Sequence, residues 1–187
     1  MTREERWRKI DAFGRAPQTL SAALRQFPKK MWLYKPQADA WSIHEIILHL
    51  ADSEANGYIR CRRLIAEPGK EVLAYDHEAW AGALGYSHQS TKQALDLFRR
   101  MRVMTYQLLV AVPEPVWSNT VEHPEMGTIS LEQWLEIHES QVPQRLEQMK
   151  RNYDVWFETH PPRRPATKRP KGSAPTSTRL ISLNATL

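Results

Sequence analysis

The sequence predicts an all-α fold built on four long helices. Three observations carry that expectation: apolar residues recur at helical spacing in four long segments, three of those segments open on a serine capping box, and no stretch sustains the apolar–polar alternation of a strand.

The first segment runs from about Arg3 to Phe27, with Pro17 as a candidate break inside it and Pro28 closing it. A proline ring removes a backbone donor and crowds the preceding turn. The other three segments start at Ser42 with Glu45, Ser90 with Gln93 and Ser130 with Gln133, where hydroxyl and N3 side chain can satisfy orphan N–H groups reciprocally. From Ser42 to about Ala66, Ile43, Ile46, Ile47, Leu50, Cys61, Leu64 and Ile65 fall on one helix face. The third helix, about Thr91 to Val112, is expected to bury Leu95, Phe98, Met101, Leu108 and Leu109 before Pro113 stops it. The fourth, about Leu131 to Phe157, aligns Leu131, Trp134, Leu135, Val142, Met149, Tyr153 and Trp156. The links at 67–89 and 113–129 are too long for a short-loop bundle, and Asp76 to Ala83 reads as a short extra helix.

Composition places these helices in one globular body. The 187 residues are 41% hydrophobic and 25% charged, enough for one sizeable core. The start, MTREERWRKIDAFGRAP, lacks the apolar stretch of a signal peptide, and no run approaches spanning length, so no membrane association is expected and the expected compartment is the cytoplasm. Cys61 is the single cysteine, which excludes an intrachain disulfide and a cysteine-held zinc.

Charge is unevenly spread. The last stretch, 161–187, holds Arg163, Arg164, Lys168, Arg169, Lys171 and Arg179 and no acid, so the remaining residues carry a net −1 although the whole chain carries +5. The pI of about 9.4 therefore comes from the tail. Rich in Pro, Ser and Thr, the tail cannot bury enough apolar surface to offset its ordering entropy and is expected to be disordered. The body, 1–160, has no electrostatic claim on nucleic acid; only the tail's charge offers one.

Residues able to carry chemistry cluster on two helices. Glu54 sits within the second helix's apolar stripe, where a carboxylate needs a partner. His49 lies at the stripe's edge, followed along that side by Ser53, Asn56 and Arg60. On the fourth helix, His138 and Arg145 lie within the stripe and Gln141 on its margin; Arg145 is the expected partner of Glu54. Pro143 predicts a kink beside Gln141 and Arg145. His44, His77, His88, His123 and His160 have no paired spacing and read as surface or loop residues. No phosphate-binding glycine loop, dinucleotide fingerprint or nucleophile elbow occurs.

The string WSIHEIILHLADSE, Trp41 to Glu54, resembles the second-helix signature of the DinB/YfiT-like superfamily. Arg60 and Arg62 follow it, YDHEAW from Tyr75 to Trp80 resembles a loop of that family, and HPEMGTISLEQWLEIHESQVPQRLEQM, His123 to Met149, resembles its last loop and helix. The resemblance covers roughly residues 3–157. It implies an up-down four-helix bundle, often a homodimer, with a divalent metal held by one histidine on the second helix and an i, i+4 histidine pair on the last. Family members with that triad are associated with metal-dependent hydrolase or thiol S-transferase activity, in which the metal lowers the pKa of a water or thiol.

His49 matches the first ligand, but anchoring on LEQM, Leu146 to Met149, puts Gln141 and Arg145 where the resemblance implies the histidine pair. The favoured expectation is a non-catalytic or small-molecule-binding member without a metal, in which Arg145 replaces the metal's charge and neutralises Glu54 or Asp52. The alternative is a zinc- or nickel-dependent hydrolase or thiol S-transferase using His49 with His138, Gln141, Asp52 or Glu54. No catalytic residue is assigned; Trp41 and Trp80 are candidate pocket linings.

Overall fold

The computed structural model describes residues 1–161, so the tail expected at 161–187 lies, from residue 162 on, outside the described residues. Among the described residues five α-helices form: α1 (Arg3–Leu24), α2 (Ile43–Ala66), α3 (His77–Ala83), α4 (Thr91–Ala111) and α5 (Leu131–Thr159). Among the described residues no helix is long and apolar enough to cross a membrane.

Local sequence explains most of the boundaries. Ser42 with Glu45 and Ser130 with Gln133 form complete capping boxes, as does Thr2 with Glu5 at α1. At Ser90 only the hydroxyl half forms, accepting from the Gln93 amide. The helices α1 and α5 continue through Pro17 and Pro143, so Pro17 is not a break. Asp76 caps the short α3 by accepting from the amides of Glu78 and Ala79 at 3.0 Å each.

The four long helices pack in the ring order α1–α4–α2–α5, each touching the helices beside it in that order. Helices α2 and α5 are antiparallel, with Arg145 beside His49, Gln141 beside Ser53 and His138 against Gly57. Arg6 pairs with Glu132 and Lys9 approaches Glu136 and Glu139, so α1 and α5 run parallel. Leu48 and Ala51 line one cleft with Ser90 and Leu97, and Glu54 meets Arg102, so α2 and α4 also run parallel. Two helices thus run each way, in the chain order up, down, down, up.

That order accounts for the long link between α2 and α4. After α2 the chain must travel back along the helix to start α4 at the same end. Arg63 holds the Glu71 carbonyl at 2.8 Å near the end of α2, whereas the Tyr86 carbonyl meets His44 Nε2 at 2.8 Å near its start. Between these anchors the link lays Tyr75, His77 and Glu78 beside the upper half of α2. The link at 112–130 contains a β-hairpin, β1 (Thr120–His123) paired antiparallel with β2 (Gly127–Ser130), that the helical reading did not anticipate. Four-residue strands are too short for sustained alternation to register. The hairpin's Gly127 takes φ +68, a left-handed turn conformation that suits glycine. Val72 donates to the Glu122 carbonyl at 2.9 Å, tying the first link to the hairpin.

Two apolar clusters fill the bundle, one around Leu20, Ile46, Leu50, Phe98 and Met149, the other around Phe13, Leu64, Leu109, Leu131 and Trp134. The buried stripe of α4 is Ala94, Phe98, Arg102, Thr105 and Leu109. Leu95, Met101 and Leu108, expected in the core, are half-buried because the helix is rotated to bring Arg102 inward. Arg102, wholly buried, lies 2.6 Å from the Glu54 carboxylate, donates to the His138 carbonyl at 3.0 Å and sits over the Phe13 ring at 3.9 Å. The expected Glu54–Arg145 pair does not form: Glu54 faces Arg102 of α4 at the level of His138, and Arg145 lies two turns further along α5. His123, expected at the surface, is buried in β1.

Candidate functional site

His49 is the floor of the site. It lies two turns into α2 and is 4% exposed. The start of that helix is fixed by its capping box and by Asn152, which donates to the Trp41 carbonyl at 2.7 Å. Trp41 therefore stands against His49, ring centroids 4.8 Å apart and nearly edge-on. From the link, His77 brings its ring to 5.5 Å from His49 and 5.7 Å from Trp41. Glu78 accepts from the Trp41 indole N–H at 3.0 Å and closes that side.

The opposite wall is α5. Arg145 Nη2 lies 3.0 Å from His49 Nε2, its Nη1 donates to Gln148 Oε1 at 2.9 Å, and its guanidinium lies 5.7 Å from the Trp41 ring centroid. A guanidinium only donates, so Nε2 is the acceptor and the imidazole proton sits on Nδ1. Among the described residues that buried Nδ1 has no partner. One turn along, Gln141 donates to the Ser53 hydroxyl, and its buried Oε1 has no partner among the described residues. Asp52, on the side toward α4, accepts from the Tyr86 hydroxyl.

Electrostatics keep the floor neutral. Burial, with the Arg145 and His77 charges adding to it, pushes the His49 imidazole down to about 3. Burial also lowers the Arg145 guanidinium, against the opposing influence of Tyr75 and Glu78. The Tyr75 phenol is raised by burial and eased by the Ser53 hydroxyl. Cys61 lies in the core with its thiol pushed up to about 12 by burial, so it offers no thiolate at neutral pH.

Of the residues singled out from sequence, His49, Gln141, Arg145 and Trp41 come together, with Asp52 close by. Glu54 belongs to the core pair with Arg102. His138 lies seven residues from Arg145, about 10 Å along the helix at roughly 1.5 Å per residue. There it stacks on Trp134 at 4.4 Å, and burial and the Arg102 charge push it down to about 3. It cannot share an ion with His49. Trp80 packs against Tyr75 with ring centroids 4.7 Å apart and the planes tilted by 51°, and it lines a separate trough. Sequence reasoning missed His77, Glu78, Tyr75 and Tyr86; the signal for the first three was the YDHEAW string and its Asp76 cap.

Among the described residues no group of three or more His, Cys, Asp and Glu side chains is close enough to hold an ion. The one well-placed imidazole nitrogen accepts from a cation that would repel another.

This is a bundle of four long helices with a polar cluster between the second and the last of them. The family model described as DinB superfamily matches residues 12–149, and the chain belongs to that superfamily. Similar proteins include a "Putative metal-dependent hydrolase" of Oceanobacillus iheyensis, 30% identical over 95 residues, 51% of this chain and 55% of that protein. One of the same description in Bacillus licheniformis is 30% identical over 78 residues, 42% of this chain and 43% of the relative. The chain spans about half the length of these curated relatives. Among solved structures, YfiT from Bacillus subtilis, described as "a probable metal-dependent hydrolase with an unusual four-helix bundle topology", superposes with a TM-score of 0.77 at 19% identity, over 83% of this chain and 90% of that one. At that identity the match shows the fold.

Proposed function

We propose that this chain is a non-catalytic, small-molecule-binding member of the DinB superfamily in which Arg145 stands where relatives hold a metal. The observation that carries the reading is the 3.0 Å contact from the Arg145 guanidinium to His49 Nε2, the nitrogen otherwise free to bind a metal. The positions that the family pattern fills with an i, i+4 histidine pair are Gln141 and Arg145, and the first donates to Ser53 instead. The reading includes a cytoplasmic protein that pairs with a second copy, as the resemblance implies.

Elemental analysis of untagged protein purified without added metal tests it. No stoichiometric metal is expected; stoichiometric zinc or nickel, lost on His49→Ala, overturns the reading.

A second reading, a divalent-metal-dependent hydrolase or thiol S-transferase with a rearranged ligand set, is favoured by one observation. The exposed His77 ring lies 5.5 Å from His49, so a histidine from the link is at hand where α5 supplies none. In that case His77→Ala would also remove bound metal.

A further inference from the structure

A trough of about 320 Å³ runs between the outer side of α2 and the link that climbs along it, lined by Ile59, Arg60, Arg63, Val72, Leu73 and Trp80 among others. Its volume suits a small organic ligand. Much of its wall is apolar, and Ile59 and Leu73 expose 54% and 84% of their surface at its rim.

The two arginines of the trough differ. Arg63 donates to the Glu71 carbonyl at 2.8 Å and has Glu67 3.9 Å away. Arg60 donates through Nη2 to the Leu73 carbonyl at 2.5 Å and lies 6.0 Å from the Tyr75 ring centroid, but among the described residues it has no carboxylate partner. The fully buried arginines are paired, Arg6 with Glu114 and Glu132 and Arg102 with Glu54, whereas among the described residues Arg60, half-buried like Arg145, is not. Burial penalises the Arg60 charge, opposed only by more distant influence from Tyr75 and Glu125. One fork of its guanidinium is held by the Leu73 carbonyl, leaving an edge with the geometry to take a carboxylate in two parallel hydrogen bonds.

We propose that this trough binds a small organic acid, its carboxylate on Arg60 and its apolar body against Ile59, Val72, Leu73 and Trp80. A single anionic group on an apolar body matches one uncompensated guanidinium set in an apolar wall; a phosphate would bring a second charge and a tighter hydration shell, and the trough's other guanidinium, Arg63, already has Glu67 beside it. The assignment does not depend on what occupies the His49 site, and metal analysis leaves it untouched.

Calorimetric titration of the full chain with 4-phenylbutyrate and, separately, with neutral 4-phenylbutanol at matched ionic strength tests it. The acid is expected to bind saturably and at least about tenfold more tightly than the alcohol, roughly the share of one charge-assisted hydrogen bond. Arg60→Met should remove that preference and Arg60→Lys restore part of it. Ile59→Glu, at an exposed position that folding does not require, should abolish acid binding with an unchanged melting temperature, and it decides the matter if Arg60→Met fails to fold. Equal affinity for acid and alcohol, no heat from either, or acid binding that survives Ile59→Glu would each overturn the proposal.

Discussion

Arg145 and His49 meet across the α2–α5 interface as cation and neutral acceptor, Nη2 to Nε2 at 3.0 Å, without a carboxylate on the arginine among the described residues. The antiparallel register that brings them together also sets Gln141 beside Ser53, one turn away. If the register is that of a family metal site with changed side chains, restoring histidines should restore binding. The double variant Gln141→His, Arg145→His is expected to take up one zinc per chain in competition with a chromogenic chelator, while the unaltered protein does not. A double variant that competes no better than the parent would count against the proposed function.

The arginine expected to pair with Glu54 and the one that does should differ in what they do for stability. Arg102 and Glu54 are buried together 2.6 Å apart. Arg102→Met leaves the carboxylate alone in the core, with an expected loss of about 3–5 kcal/mol by chemical denaturation, whereas Arg102→Met combined with Glu54→Leu should recover most of it. Arg145 bonds only neutral groups and is partly exposed, so Arg145→Met should cost about 1 kcal/mol or less. Comparable losses from the two single variants would mean that the Glu54 pair is misassigned.

Acid should destabilise the fold before its carboxylates titrate. His49 and His138 are held near 3 in the folded chain against an ordinary 6.5, with burial the main cause. The unfolded chain therefore takes up protons first as pH falls below 6.5, and the stability these imidazoles contribute, present in full above 6.5, drains away toward pH 3. At pH 5 the loss is about 2 kcal/mol for each. Burial raises the Glu54 carboxyl, which works in the opposite sense, so the comparison must isolate the imidazoles. Urea midpoints measured from pH 7.5 to 5 should fall less in a His49→Gln, His138→Gln variant than in the parent; parallel slopes would refute the shifts.

Gly57 tests the packing of His138. A Cβ placed there would stand 2.3 Å from His138 Cε1, and that ring is already stacked on Trp134. Gly57→Ala should cost about 1–3 kcal/mol, most of it relieved when His138→Ala is added. Gly82, in α3, would meet nothing within 4 Å, so Gly82→Ala should stabilise by about 0.5–1 kcal/mol through helix propensity alone. Equal effects at the two glycines would contradict the α2–α5 register.

The site was partly legible because its best-resolved half lies on helices. Gln141 and Arg145 share a helix face by spacing, and the capping boxes at Ser42 and Ser130 fixed where α2 and α5 begin. His77 was not legible, because its approach to His49 depends on the link folding back along α2. Arg102 was missed because Met101 and Leu108 beside it suggest an apolar stripe rotated by one position, and only the neighbouring Glu54 makes burying an arginine favourable.

Local sequence by itself determined four long helices, most of their ends, the residue types at positions 49, 141 and 145, and the concentration of positive charge beyond residue 160. Those follow from periodicity, capping and composition, which act within a few residues along the chain. Tertiary structure decided the ring order of the helices, the hairpin that pins the long link, the pairing of Glu54 with Arg102, and the meeting of His49 with His77 and Arg145. Each of these joins groups far apart in sequence, and the choice among such partners rests on burial: a buried charge takes the one opposite charge that the packed helices leave within reach.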